Sequence, residues 1–233
     1  SNRRSGDARQ AIVDAILASS VPSSTLRHKT QVRSFLAAYF ADVPFEDLEG
    51  RSEAIMARIA VDHLEFGAMR QPGEALLRIY NPTKEEHGYE SAFTFVEMVN
   101  DDMPFLVNSV TAAINRHGLA VQITVHPIIH LRRNRNGKLV EIADHDDDDA
   151  LSESYIRFAI SRETDAQELR KLRQEINKVL SDVRVAVRDW GKMRAAMRET
   201  RDLLANGPKG ADPLLRTESQ ALLDWMVDDH FTF

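Results

Sequence analysis

The 233-residue sequence contains no cysteine, which excludes a disulfide framework, a thiolate zinc site and a thiol nucleophile. It contains no apolar run approaching the roughly 18–20 residues that span a bilayer. Its first residues, SNRRSGDARQ, lack the apolar centre of a signal peptide. An excess of basic charge is missing too: the net charge is −6, whereas phosphate neutralisation needs a basic surface. The ten glycines are scattered, and no GxGxxG, Walker A, HExxH or GxSxG pattern occurs. These absences argue for a cytoplasmic chain with no membrane, nucleic-acid or metal site, and against catalysis or cofactor binding by the chain alone. What remains is an ordinary globular composition, 43% hydrophobic and 28% charged.

Apolar spacing divides the chain into three parts. Residues 1–73 read as a helical segment. Ala11, Ile12, Ala15 and Ile16 form a first stripe, and Val32, Phe35, Leu36 and Phe40 a second, ended by Val43-Pro44. A third helix is expected from about Phe45 to Gly67, with Leu48, Ile55, Ile59 and Leu64 near one side. Residues 74–163 change to period 2. Strands are expected at Ala75–Tyr80, Ser91–Val99, Leu119–Leu131, Lys138–Ala143 and Tyr155–Ile160, with Asn136-Gly137 as a two-residue hairpin turn. The HDDDD tract at 145–149 reads as a solvated loop.

Residues 164–233 return to helix. Leu169, Leu172, Ile176, Val179, Val183, Ala186, Trp190, Met193 and Met197 follow heptad-like spacing, which fits a long packed helix or an oligomer contact. Val183, Val185 and Val187 also alternate, so a short strand is an open alternative there. Asn206-Gly207-Pro208-Lys209-Gly210 reads as a loop, and His230-Phe231-Thr232-Phe233 as the start of a strand belonging to a longer protein. The order implies an α+β fold: a mostly antiparallel sheet with helices on one face, flanked by helical segments.

Residues 98–118, MVNDDMPFLVNSVTAAINRHG, are the most distinctive stretch. Helix capping accounts for one of Asp101 and Asp102, and a first-turn position for Pro104. The second aspartate and Phe105 are left over, which keeps a ligand role open for Asn100, Asp101, Asp102, Met103, Phe105 and Asn108. His126 and His130 would lie about 13 Å apart along a strand, too far to share one metal ion at about 2 Å per ligand. Arg132, Arg133 and Arg135 fit a solvated hairpin tip, with an anion or nucleic-acid contact as the alternative.

The Ser91–Gly118 segment resembles the opening of an ACT domain, the ferredoxin-like βαββαβ module that often senses amino acids. Asp102-Met103-Pro104-Phe105-Leu106-Val107 matches its strand-to-helix turn, with Phe105 where many such domains carry glycine. Over most of its length the chain also resembles the N-terminal region of the large bacterial NAD-specific glutamate dehydrogenases. The resemblance rests on Arg78-Ile79-Tyr80-Asn81-Pro82, His87-Gly88, Asn100 through Ser109, His126-Pro127, Asp182-Val183-Arg184, Asp189-Trp190, Met193, Leu223-Asp224-Trp225-Met226 and the residues 228–233. It implies a regulatory and oligomer-building segment of an enzyme that oxidises glutamate with NAD in amino-acid catabolism. The catalytic residues and the NAD site would lie in downstream domains of the same polypeptide. It further implies an amino-acid effector and a homo-oligomer. A stand-alone amino-acid-sensing module and a purely structural assembly module are the alternatives.

Overall fold

The computed structural model describes residues 2–19, 21–205 and 212–230. The chain divides into two compact units, residues 1–180 and 181–233. The first opens with helices α1 (Asn2–Ala18), α2 (Lys29–Tyr39), α3 (Phe45–Leu48) and α4 (Glu53–Phe66). The single helix expected over 45–67 is two. Gly50 takes φ +73°, a left-handed conformation that glycine adopts readily and that ends the helical run. The break also re-phases the stripe. Leu48 and Leu64 are buried, but Ile55 is exposed, and Met56, Ala57, Ala60 and Val61 carry the packing.

Strands β1 (Leu76–Tyr80), β2 (Thr94–Asp101), β3 (Val121–Val125), β4 (Ile128–Arg133), β5 (Leu139–Ile142) and β6 (Leu151–Ile160) form one sheet, with α5 (Lys84–His87) between β1 and β2 and α6 (Leu106–Arg116) between β2 and β3. The order is β1-β2-β6-β4-β5, with β3 also on β6, and every pairing is antiparallel. The strand expected over 119–131 is therefore bent into β3 and β4 at His126-Pro127. Proline has no N–H for the ladder, although its carbonyl still accepts from the Tyr155 N–H at 3.0 Å. The β4–β5 hairpin turns through Asn134–Lys138 rather than through two residues. The Asn134 side chain accepts from the Asn136 and Lys138 N–H groups, and Gly137 at φ +79° closes the turn.

β2–α6–β3 is a split βαβ unit with β6 lying between its strands. The position beside β2 is filled by β1, which comes from the N-terminal side of the module. Along the central pair, Phe95, Glu97, Val99 and Asp101 oppose Ala159, Arg157, Tyr155 and Glu153 on one face. Val99 and Tyr155 join the core built by α1, α2 and α4. Val96, Met98, Ile156, Phe158 and Ile160 are buried on the opposite face. That is the face of the module's own helices, α6 with buried Val110 and Ile114, and the start of α7 (Ala166–Ala205) with buried Leu172, Ile176 and Leu180. Glu175 of α7 ties the two helices by accepting from Arg116 and His117 at 2.7 Å. Coverage on both faces explains why β2 is buried from Thr94 to Asn100 and does not simply alternate.

The second unit holds the rest of α7 and α8 (Pro213–Trp225), followed by a π-helical turn at Met226–His230. Residues 183–187 are helical, not a strand. Asp212 caps α8 by accepting from the Leu214 N–H at 2.9 Å, with Pro213 opening the helix. Arg201 reaches Asp224 at 2.8 Å, and Arg194 lies over the Trp190 ring at 4.8 Å. The loop expected at 206–210 lies outside the described residues, as does the strand start expected at 230–233 except for His230, which ends the π-helical turn.

Candidate functional site

The β2–α6 turn gathers the residues singled out in the sequence, and it corrects the reading of their roles. α6 begins at Leu106 with Phe105 as its N-cap, and no side chain caps it. Neither aspartate is a cap, and Pro104 precedes the helix rather than opening it. Asp101 is engaged on both oxygens, accepting from Arg70 at 2.7 Å and from the Gly73 N–H at 2.8 Å. Asp102 accepts from the Ser154 hydroxyl at 2.7 Å, and Ser154 also lies 3.0 Å from His126 Nε2. Burial depresses the His126 pKa and nearby Asp102 opposes that effect. Asn100 is buried and its amide donates to the Asp101 carbonyl at 3.0 Å. Asp102, Met103, Phe105, Asn108 and His126 line one shallow depression.

Phe105 is the conformational exception of the described residues. It is the non-glycine residue at positive φ, +72°, and its ring is half exposed. A bulky residue in the left-handed region carries strain of about 1–2 kcal/mol. The backbone here keeps the shape that glycine would supply at this position, while the side chain narrows access to it.

Two ionic clusters in the sheet were not foreseen. At one end of the β2–β6 pair, Glu153 is fully buried between Arg70 and Arg133, each at 2.7 Å. Arg133 also donates to the carbonyls of Gly67 and Gly137 at 2.8 Å, so it is no solvated hairpin arginine. Arg132 does stay at the surface, paired with Asp147 of the acidic loop. In the middle of the pair, buried Glu97 accepts from Arg78 Nε at 2.6 Å and from the Tyr80 hydroxyl at 3.2 Å, and Arg78 reaches Asp62 at 2.8 Å. Arg157, opposite Glu97 in the register, lies 3.4 Å from it and 3.8 Å above the Phe95 ring. Charged residues inside otherwise apolar strands, Glu97 in TFVEMVN and Arg157 in SYIRFAI, are the sequence signal that could have pointed to this cluster.

Buried His63 lies beside the same strand. The Met98 carbonyl at 3.2 Å must accept from His63 Nε2–H, so the Tyr39 hydroxyl donates to Nδ1 at 3.0 Å. Burial pushes the His63 pKa down to about 4, with Glu97 opposing part of the effect.

The model of the glutamate dehydrogenase ACT1 domain matches residues 35–176, the stretch from α2 to the first turns of α7. This chain belongs to that family. It is 34% identical to the NAD-specific glutamate dehydrogenase of Halomonas elongata over 208 residues, covering 87% of this chain and 13% of that protein. It is 31% identical to the enzyme of the same name from Pseudomonas aeruginosa, with the same coverage, and 24% identical over 172 residues to that of Mycobacterium tuberculosis. The ACT1 chain thus spans about an eighth of the length of these first two relatives. Among its described residues no helix is long and apolar enough to cross a membrane.

Proposed function

We propose that this chain is the N-terminal regulatory and assembly segment of an NAD-dependent glutamate dehydrogenase. Its parent would convert L-glutamate, NAD and water to 2-oxoglutarate, ammonia and NADH in cytoplasmic amino-acid catabolism. The observation that carries the reading is the coincidence of the ACT1 match with the split βαβ unit and its glycine-like turn at Phe105.

The turn does not suit NAD. A dinucleotide needs glycines that let the backbone approach the pyrophosphate, and here the half-exposed Phe105 ring occupies that approach. The cofactor and the catalytic groups are therefore assigned to downstream domains of the polypeptide. The turn suits a smaller effector better. Uncapped N–H groups at the start of α6 favour a carboxylate, and Asp102 is placed to meet an ammonium. Asp101, held by Arg70 and Gly73, shapes the turn instead. An amino acid is the effector class, and the outer sheet edges offer pairing surfaces for downstream domains or a second subunit.

The 233-residue chain should produce no NADH from glutamate and NAD; measurable production would overturn the reading. Calorimetric titration with a panel of amino acids should show binding that Asp102→Ala removes. Binding that survives that substitution would move the effector away from the turn.

A further inference from the structure

The face of the sheet opposite α6 holds a cavity of about 240 Å³ between the N-terminal helices and strands β2, β3 and β6. That is below the roughly 300–1,000 Å³ typical of drug-sized ligand pockets and suits a small metabolite. Phe40, Met56, Ile59, Phe93 and Ile123 supply an apolar wall, and the charged group set into it from the sheet is Arg157.

Arg157 is placed unlike the other buried arginines. Its side chain is only 12% exposed, yet its guanidinium donates no hydrogen bond to any described residue, and its buried Nε, in a long ion pair with Glu97, makes none. The carboxylate nearest to it, Glu97, is already engaged by Arg78 and Tyr80, which leaves Arg157 at 3.4 Å. The guanidinium carbon lies 3.8 Å over the Phe95 ring, a contact that uses none of its N–H donors. Buried donors are normally satisfied, and a planar guanidinium matches a carboxylate in a two-pronged contact. Apolar walls around such a group select for a hydrocarbon body on the same molecule.

We propose that this cavity binds a small monocarboxylate with a branched or aromatic hydrocarbon body, its carboxylate on Arg157. Asp47, Arg51 and Glu90 also line the cavity; the ligand is either a simple carboxylic acid or the amino acid with the same side chain, whose ammonium the two acids would meet. The site lies on the other face of the sheet from the β2–α6 turn and does not depend on it.

Calorimetry on the 233-residue chain with 4-methylpentanoate, leucine and the neutral 4-methylpentanamide tests the proposal. The carboxylates should bind saturably and the amide at least about tenfold more weakly, the scale of a lost charge-assisted hydrogen bond. A preference for leucine over 4-methylpentanoate would identify the amino acid as the source, and the reverse the simple acid. Arg157→Gln should abolish the preference for charge. Because that change also disturbs Glu97, Ile55→Trp provides a second variant: Ile55 lines the cavity but is exposed, so tryptophan there should obstruct the cavity without touching the core. Equal binding of acid and amide, no saturable binding by any probe at millimolar concentration, or carboxylate binding unchanged in both variants would overturn the proposal. Asp102→Ala should leave this binding intact, which separates its failure from failure of the turn as an effector site.

Discussion

The end and the middle of the β2–β6 pair carry similar buried ions in different states of completion. Around Glu153, Arg133 uses Nε and both Nη atoms, on carboxylate and backbone acceptors. Arg70 donates to Asp101, Glu153 and the Glu74 carbonyl, leaving only its Nε without a partner. Around Glu97, Arg78 is equally well held, but Arg157 has stacking and a long ion pair and no hydrogen bond. Desolvating an ion is offset only when its donors find acceptors. The first cluster is thus a closed structural joint between the Arg70 loop, the hairpin and the sheet. The second is one acceptor short, and the place where that acceptor would stand is next to a cavity.

Breaking the closed cluster should have the largest effect. Arg133→Met removes the central hydrogen bonds of the joint and leaves the Gly67 carbonyl without its donor, whereas the Gly137 carbonyl keeps the Arg70 N–H. It should destabilise the first unit by about 3–5 kcal/mol, read as a lowered urea midpoint. A loss below about 1 kcal/mol would mean that the joint is no stronger than a surface pair.

Acid should next sharpen the contrast, because His63 lies beside the incomplete cluster. Burial holds its pKa in the folded chain at about 4, against an ordinary 6.5, so the unfolded chain takes up the proton first as pH falls. Above about pH 6.5 both states are neutral and this group adds no pH dependence. From there down towards pH 4 stability should fall, by about 3 kcal/mol in all. The midpoint of chemical denaturation measured across that range checks it, and His63→Phe should flatten the profile. Glu65 works in the same direction at lower pH. Burial opposes its ionisation, but hydrogen bonds from Ser23, Ser24 and Thr25 prevail and hold its pKa near 2. Its contribution is present above its ordinary range and disappears as pH falls towards 2.

Arg157→Met should have the smallest effect on the fold. The substitution removes no hydrogen bond and leaves Glu97 paired with Arg78, so a loss of about 1 kcal/mol is expected. A loss equal to that of Arg133→Met would remove the distinction between the clusters.

Much of the fold was legible in the sequence because periodicity reports which face is buried. The strands, the crossover helix and α7 all follow from it. The misses have local causes: Gly50 dividing one expected helix, Pro127 bending one expected strand, and Asn134 enlarging a turn. The candidate site was less legible. Asp101 and Asp102 could be placed near a helix start, but their partners, Arg70 and Ser154, lie 31 and 52 residues away in sequence. Glu97 and Arg157 meet only through the β2–β6 register, and periodicity gives the face of a residue without naming its neighbour on the next strand. Phe105 stands where the resemblance expects glycine, and its φ of +72° is the backbone conformation that glycine adopts readily.

The most direct test follows the arginine Nε–H resonances of Arg157 and Arg133 by NMR while 4-methylpentanoate is added. The Arg157 signal should move saturably and the Arg133 signal should stay in place, with 4-methylpentanamide moving neither. An unmoved Arg157 signal, or equal movement of both arginines, would contradict the account of one closed and one open cluster.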